Sequence, residues 1–242
     1  MTSKTWTAAL AAALLVGGAG AASAATEAPD ERASARAASA QADVGITATD
    51  APSKIRVGAA AMTIPVTVIT DEPMDDLDAG VFSSGDDLVA YGYTRAAEAG
   101  RPRVFKPQVE LYAEDLTGWG AHEWDFFGYR VDDDVAAVGV APTDVRAHSM
   151  LGLAVARSGA TVTVRGSARA YHSVQDRYVP WSGRPVSVQR WTGSAWVQVT
   201  GATTDARGNL SATVPVPAGS QLRLVVKDVG SIWGAVSATA TA

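Results

Sequence analysis

From Asp43 to the C-terminus, apolar and polar residues alternate at a period of two in short runs, and no period of 3.6 is sustained. In MTIPVTVIT, residues 62–70, Met62, Ile64, Val66 and Val68 fall on one face of an extended chain, with Thr63, Pro65 and Thr67 on the other. Successive side chains of a strand point to opposite faces, so such a run buries one side and wets the other. An amphipathic helix cannot be built from it. The same alternation appears in VFKPQVELYAED, where Phe105, Val109 and Leu111 oppose Lys106, Gln108 and Glu110. Pro65 has no N–H to give a ladder, which places its strand at an edge or a bulge. WDFFGYRV, residues 124–131, is apolar on both faces and reads as a covered, central strand.

A fresh strand, ATVTVRGSA, begins directly after Arg157-Ser158-Gly159, and others follow at 185–191, 195–200, 209–216 and 221–228, with a weak last one near 235–241. Short strands at near-even spacing, parted by Gly, Pro, Asp and Ser, argue for a β-sandwich. The expected fold class is all-β: two tandem antiparallel β-sandwich domains, an acidic one over 43–157 and a basic one over 158–242. Ahead of them, residues 1–24 pair a short basic start with an Ala- and Gly-rich apolar stretch ending at Ala22-Ser23-Ala24. That pattern reads as a cleaved secretory signal peptide, too weakly apolar to span a bilayer. Residues 25–42 hold almost no large apolar side chains and read as a disordered linker.

The chain contains no cysteine. That excludes disulfide staples, thiol catalysis and thiolate metal sites together, and leaves stability to ordinary cores. Charge is divided unevenly, with 19 acids against 9 bases over 43–157 and 3 against 8 over 158–242. Either two solvated surfaces have drifted apart in charge, or the basic half meets an anionic surface.

The second half contains Gly183-Arg184-Pro185-Val186, Trp196 after a Gly-Ser turn, and Thr204-Asp205 with Gly208. On these residues it resembles the Ig-like or prealbumin-like modules of secreted proteins from GC-rich Gram-positive bacteria. The resemblance implies that Gly183-x-x-Val186 opens a strand and that Thr204-Asp205-x-x-Gly208 marks a hairpin turn. It covers roughly residues 159–241 and implies a fold rather than an activity, since such modules serve as spacers, adhesion units and binding accessories.

No catalytic signature is present. HEWDF at His122 has Phe126 where a zinc His-Glu-x-x-His needs its second histidine, and His122, His148 and His172 have no ligand spacing. GSIWG at 230–234 places its serine one position too early for a nucleophile elbow. The expectation is a protein that is not an enzyme, with a carboxylate-dependent hydrolase as the least favoured alternative.

Two groups of residues are candidates for binding. Ser187, Gln189 and Trp191 share a face with Trp196, Gln198 and Thr200 if the hairpin between them is regular, which makes the indoles cross-strand neighbours. Such a pair stabilises the hairpin, and flat indoles beside Gln189 and Gln198 also suit the C–H faces of sugar rings. The run DEPMDDLDAGVFSSGDD reads as an acidic loop without a base, and Asp132-Asp133-Asp134 forms a second acidic cluster. Asp75, Asp76 and Asp78 are the candidate ligands if that loop takes calcium, a hard cation that prefers oxygen. The functional expectation is a secreted or cell-surface binding or structural protein, with a carbohydrate-binding accessory protein as the alternative. Its expected partners are a cell-wall polymer, a polysaccharide or an extracellular protein, with no nucleic acid and no membrane span after cleavage.

Overall fold

The structure, a computed structural model, describes residues 44–95, 103–130 and 133–242. The leader expected over 1–24, the linker expected over 25–42, and Asp132 lie outside the described residues. The strands are β1 (Val44–Thr49), β2 (Lys54–Val57), β3 (Ala61–Pro65), β4 (Val68–Thr70), β5 (Asp76–Ser83), β6 (Leu88–Arg95) and β7 (Val104–Phe105). They continue with β8 (Gln108–Tyr112), β9 (Gly120–Arg130), β10 (Asp133–Ala147), β11 (Ser149–Ser158), β12 (Thr161–His172) and β13 (Arg177–Pro180). The last are β14 (Pro185–Trp191), β15 (Trp196–Thr203), β16 (Asn209–Pro215), β17 (Gln221–Val226), β18 (Ala235–Val236) and β19 (Ala240–Thr241). Among the described residues a 3₁₀ turn at Ser173–Gln175 interrupts them, and the protein is all-β.

The chain divides into two compact units. Of the described residues, those up to Ser53 and Ala61–Asp144 form one, while Lys54–Ala60 and Val145–Ala242 form the other. The acidic unit follows the strand order β3-β8-β6-β5-β9-β10-β1-β4-β7. β1 is parallel to β10 at Val44 and Gly45 and antiparallel to β4 from Ile46 onward, with a register shift between Ile46 and Ala48 inside that second ladder. A strand that changes partner partway along its length joins two ladders, and the bulge beside the change bends it. Pro65 ends β3, which lies at the sheet edge as its missing N–H requires. WDFFGYRV falls largely within β9, an inner strand in which Trp124 and Phe126 are fully buried. Leu77, Ala79 and Val81 of β5 are fully buried beside them, and Trp124 Nε1 donates to Pro52 O at 3.0 Å.

The basic unit is a two-sheet sandwich. In one sheet β12 pairs with β11 along one edge and with β13 and β16 along the other; the second has the order β15-β14-β17-β18, with β19 also on β17. Val162 and Val164 of β12, Val186 and Val188 of β14, and Leu222 and Leu224 of β17 share one core. The turn that the resemblance implies is present. Asp205 Oδ1 accepts from Arg207 N and Asn209 N, both at 2.8 Å, and Gly208 sits at φ +74°. Any Cβ there would meet Ala168 O at 2.5 Å, so glycine alone fits. Thr204 Oγ1 donates to Trp181 O at 2.7 Å and accepts from Arg184 N at 2.8 Å, locking the chain on either side of Gly183.

Arg157-Ser158-Gly159, the expected joint, runs from the end of β11 into the Gly159-Ala160 turn of the β11–β12 hairpin: ten residue pairs run from Ser149↔Ala170 to Ser158↔Thr161. Leu151, Leu153 and Val155 of β11 pack on the core of the basic unit, and this burial draws β11 to that side. Lys54–Ala60 also departs from a simple tandem order. Ile55 and Val57 are buried, His148 N donates to Val57 O at 2.8 Å, and Trp233 Nε1 donates to Ile55 O at 2.9 Å.

Candidate functional site

β14 and β15 meet through Thr192–Ala195, where Thr192 N donates to Ala195 O at 2.9 Å and Gly193 takes φ +102°. A two-residue turn that opens on glycine matches the twist of the strands it joins. It sets Trp191 directly opposite Trp196, with ring centroids 5.5 Å apart and planes at 50°. Gln189 faces Gln198, and on the other side of β14 it faces Arg223 of β17. Arg223 Nε donates to Gln189 Oε1 at 2.9 Å, and its Cζ lies 4.3 Å from the centroid of the Trp196 ring. Ser187 Oγ donates to Gln198 Oε1 at 3.0 Å.

All four expected residues, Gln189, Trp191, Trp196 and Gln198, thus share the outer face of one sheet. Thr200 does not join them. A register shift between Val188 and Gln189 sets Thr200 opposite the fully buried Val188, because one extra residue in a strand exchanges its faces beyond the bulge. The indoles are half-buried, and Arg223 occupies one side of Trp196. Each glutamine uses its amide oxygen within the sheet and keeps its NH₂ donors. Sequence reasoning missed Arg223. Its outward direction was legible in QLRLVV, where Leu222, Leu224 and Val226 are buried, but its partner Gln189 in β14 is 34 positions away in sequence and only the sheet order reveals it.

The acidic run 71–87 is a loop only at its two ends, 71–75 and 84–87. Asp76–Ser83 forms β5, paired antiparallel with β6 on one side and β9 on the other. Strand propensity disfavours aspartate, but burial of Leu77, Ala79 and Val81 on the core face decides the matter. Asp76 reaches Arg95 of β6 at 3.8 Å. Asp78, on the opposite face from Leu77, takes hydrogen bonds from the Tyr91 and Tyr129 hydroxyls. Burial outweighs those bonds and, with a smaller contribution from the Asp76 charge, lifts the Asp78 carboxyl to about 6. Burial, and then the charge of Asp78, pushes both phenols well above the ordinary tyrosine value, so each remains a donor throughout the neutral range.

Among the described residues, no three histidine or carboxylate side chains gather as a metal-holding group, and Asp75, Asp76 and Asp78 do not converge. A calcium site in this run needs several such oxygens brought together. Thermal melts of the full chain with millimolar calcium, with magnesium and with a chelator are therefore expected to superimpose; a rise specific to calcium would restore a site.

No protein-family model matches the sequence, and no curated protein does. Solved structures that overlap the chain include the BSP domain of a biofilm-associated protein, at 16% identity and TM-score 0.28 over 81% of this chain and 29% of that one. The D00–D0 domains of intimin overlap at 12% identity and TM-score 0.28, covering 82% of this chain and 98% of that one. A red sea bream transglutaminase overlaps at 12% identity and TM-score 0.37, covering 90% of this chain and 34% of that one. None of these likenesses assigns the chain to a family. Among the described residues no helix is long and apolar enough to cross a membrane.

Proposed function

We propose that the chain is an exported, non-catalytic binding protein whose ligand face is the outer surface of β15, β14 and β17, and that this face takes the rings of a neutral polysaccharide. The observation that carries the reading is the fixed array of Trp191, Trp196, Gln189, Gln198 and Arg223 on one strand ladder. Hydrogen bonds and ring contacts already hold these side chains, so little rotamer entropy is lost when a ligand settles on them. The aromatic edges offer apolar area and the glutamines offer amide donors, the mixture that a sugar with one C–H face and a rim of hydroxyls matches. The leader read from residues 1–24 supplies the compartment in which such polymers occur.

Affinity electrophoresis of the full chain through gels containing neutral polysaccharides tests the proposal. The wild type is expected to be retarded by at least one polymer. Gln198→Ala, on an exposed side chain, should abolish retardation and leave the melting temperature unchanged. Trp191→Ala with Trp196→Ala should lose binding and also about 1–4 kcal/mol of stability, because the indoles and the Arg223 contact hold the hairpin tip. A double variant that melts lower while Gln198→Ala binds normally would reduce the tryptophans to a purely structural role.

A further inference from the structure

Assigning Lys54–Ala60 to its observed unit sharpens the charge division. Residues 44–53 with 61–144 hold 18 acids and 5 bases, a balance of −13; residues 54–60 with 145–242 hold 3 acids and 12 bases, a balance of +9. Part of that positive charge is gathered at one place. In β2 the buried Ile55 and Val57 alternate with Lys54 and Arg56, so both cations project from the exposed side. Trp233 is 2% exposed and pinned at two points, its N donating to Ala147 O at 3.0 Å and its Nε1 to Ile55 O at 2.9 Å.

Around this fixed ring stand three cations. Lys54 Nζ and Arg146 Cζ each lie 4.5 Å from its centroid, and Arg56 Cζ lies 5.5 Å away. Lys54 and Arg56 are therefore within about 10 Å of each other, comparable to the screening length at physiological salt, and they repel. The ring's quadrupole offsets part of this. Among the described residues no carboxylate pairs with Lys54 or Arg56; Arg56 donates only to Gly234 O, at 3.3 Å. Arg56 also lines a cleft of about 570 Å³ with His148 and Asp228, and that aspartate already accepts from Gly234 N at 2.7 Å. Burial, and to a smaller extent the Arg56 charge, holds the His148 imidazole below its usual value.

We infer that Lys54 and Arg56, mounted on Trp233, form an oxyanion-binding site for a polyanionic glycan, separate from the aromatic face of β14 and β15. An anion entering the cluster removes the mutual repulsion of cations that the fold already holds in place. A polymer gains more than a single anion does, because exposed Arg165, Arg177 and Arg207 add further positive charge to the same unit. Nucleic acid fits less well: the one aromatic ring at the cluster is buried, so no base can stack on it. The choice of a glycan rests on the extracellular reading above; the site itself does not depend on the tryptophan face, and either can fail alone.

Titration of the full chain into fluorescently labelled dextran sulfate, with neutral dextran of the same length as control, tests the inference. Dextran sulfate should bind and dextran should not bind at this cluster. Lys54→Gln with Arg56→Gln should weaken dextran sulfate binding by about tenfold or more in roughly 0.1 M salt and flatten its salt dependence. The charge-preserving pair Lys54→Arg with Arg56→Lys should bind within about twofold of wild type, and Arg165→Gln with Arg207→Gln should lose less than about threefold. Equal losses from the two charge-removing pairs would overturn the site in favour of diffuse net charge, and no binding of dextran sulfate would overturn it outright. Complete displacement by inorganic sulfate at matched charge would assign a small anion instead of a polymer. Duplex DNA binding more tightly than dextran sulfate, with the same dependence on Lys54 and Arg56, would assign nucleic acid.

Discussion

Residues 158–242 expressed alone are expected not to fold cooperatively. A cut there removes β11 from the ten-pair ladder with β12 and leaves the edge of β12 open over Thr161–Ala170. It also takes Leu151, Leu153 and Val155 from the face of the core formed by Val162, Val164, Leu222 and Leu224. Three aliphatic side chains of this kind contribute on the order of 1.5–3 kcal/mol each when fully buried, somewhat less when partly exposed, as these are. That sum is comparable to the whole stability of an ordinary domain, about 5–15 kcal/mol. A longer fragment, 145–242, restores β11 but still lacks β2, so Trp233 Nε1 loses its acceptor at Ile55 O. It should fold with a clearly lowered melting temperature. Circular dichroism melts of both fragments against the full chain distinguish these outcomes, and a sharp, wild-type-like transition for 158–242 would show that β11 is dispensable.

Asp78→Asn is expected to stabilise the protein at neutral pH and to have little effect near pH 4. The folded state holds the Asp78 carboxyl at about 6, above its ordinary 3.8, so the folded protein binds that proton more tightly than the unfolded chain does. Stability from this group is fully present below about pH 4, where both states are protonated, and is lost as pH rises through 6. Above that the charged carboxylate carries a constant cost of about 3 kcal/mol, the energy of roughly two pKa units. An amide keeps an acceptor oxygen for Tyr91 and Tyr129 but adds N–H donors that need partners, so the net gain should be about 1–2 kcal/mol at pH 7.5. Urea denaturation of both proteins at pH 4 and pH 7.5 measures it. A difference that does not change between the two pH values would place the raised carboxyl elsewhere.

Local alternation determined a large part of this protein before any tertiary information was needed. Period-two patterning made the chain all-β, Pro65 placed β3 at an edge, the apolar run at Trp124 marked an inner strand, and Thr204-Asp205-x-x-Gly208 announced a turn that Asp205 and Gly208 do build. The position of Trp191 opposite Trp196 was legible for the same reason, since two strands joined by a short turn fix their own register nearest that turn. Farther from the turn the register failed at the Val188/Gln189 bulge, which is a response to packing and leaves no mark in composition. The acidic run shows the opposite balance: its aspartates argued for a loop, yet Leu77, Ala79 and Val81 between them could be buried only by a strand, and Tyr91 and Tyr129 satisfied Asp78 from neighbouring strands. Only the tertiary structure could bring Arg223 to Trp196, or Lys54 and Arg56 to a tryptophan some 177 to 179 positions away. Local sequence sets which way a side chain points from its own strand. Which strand lies beside it is set by long-range burial of the apolar faces, a property of the whole chain that no short stretch contains.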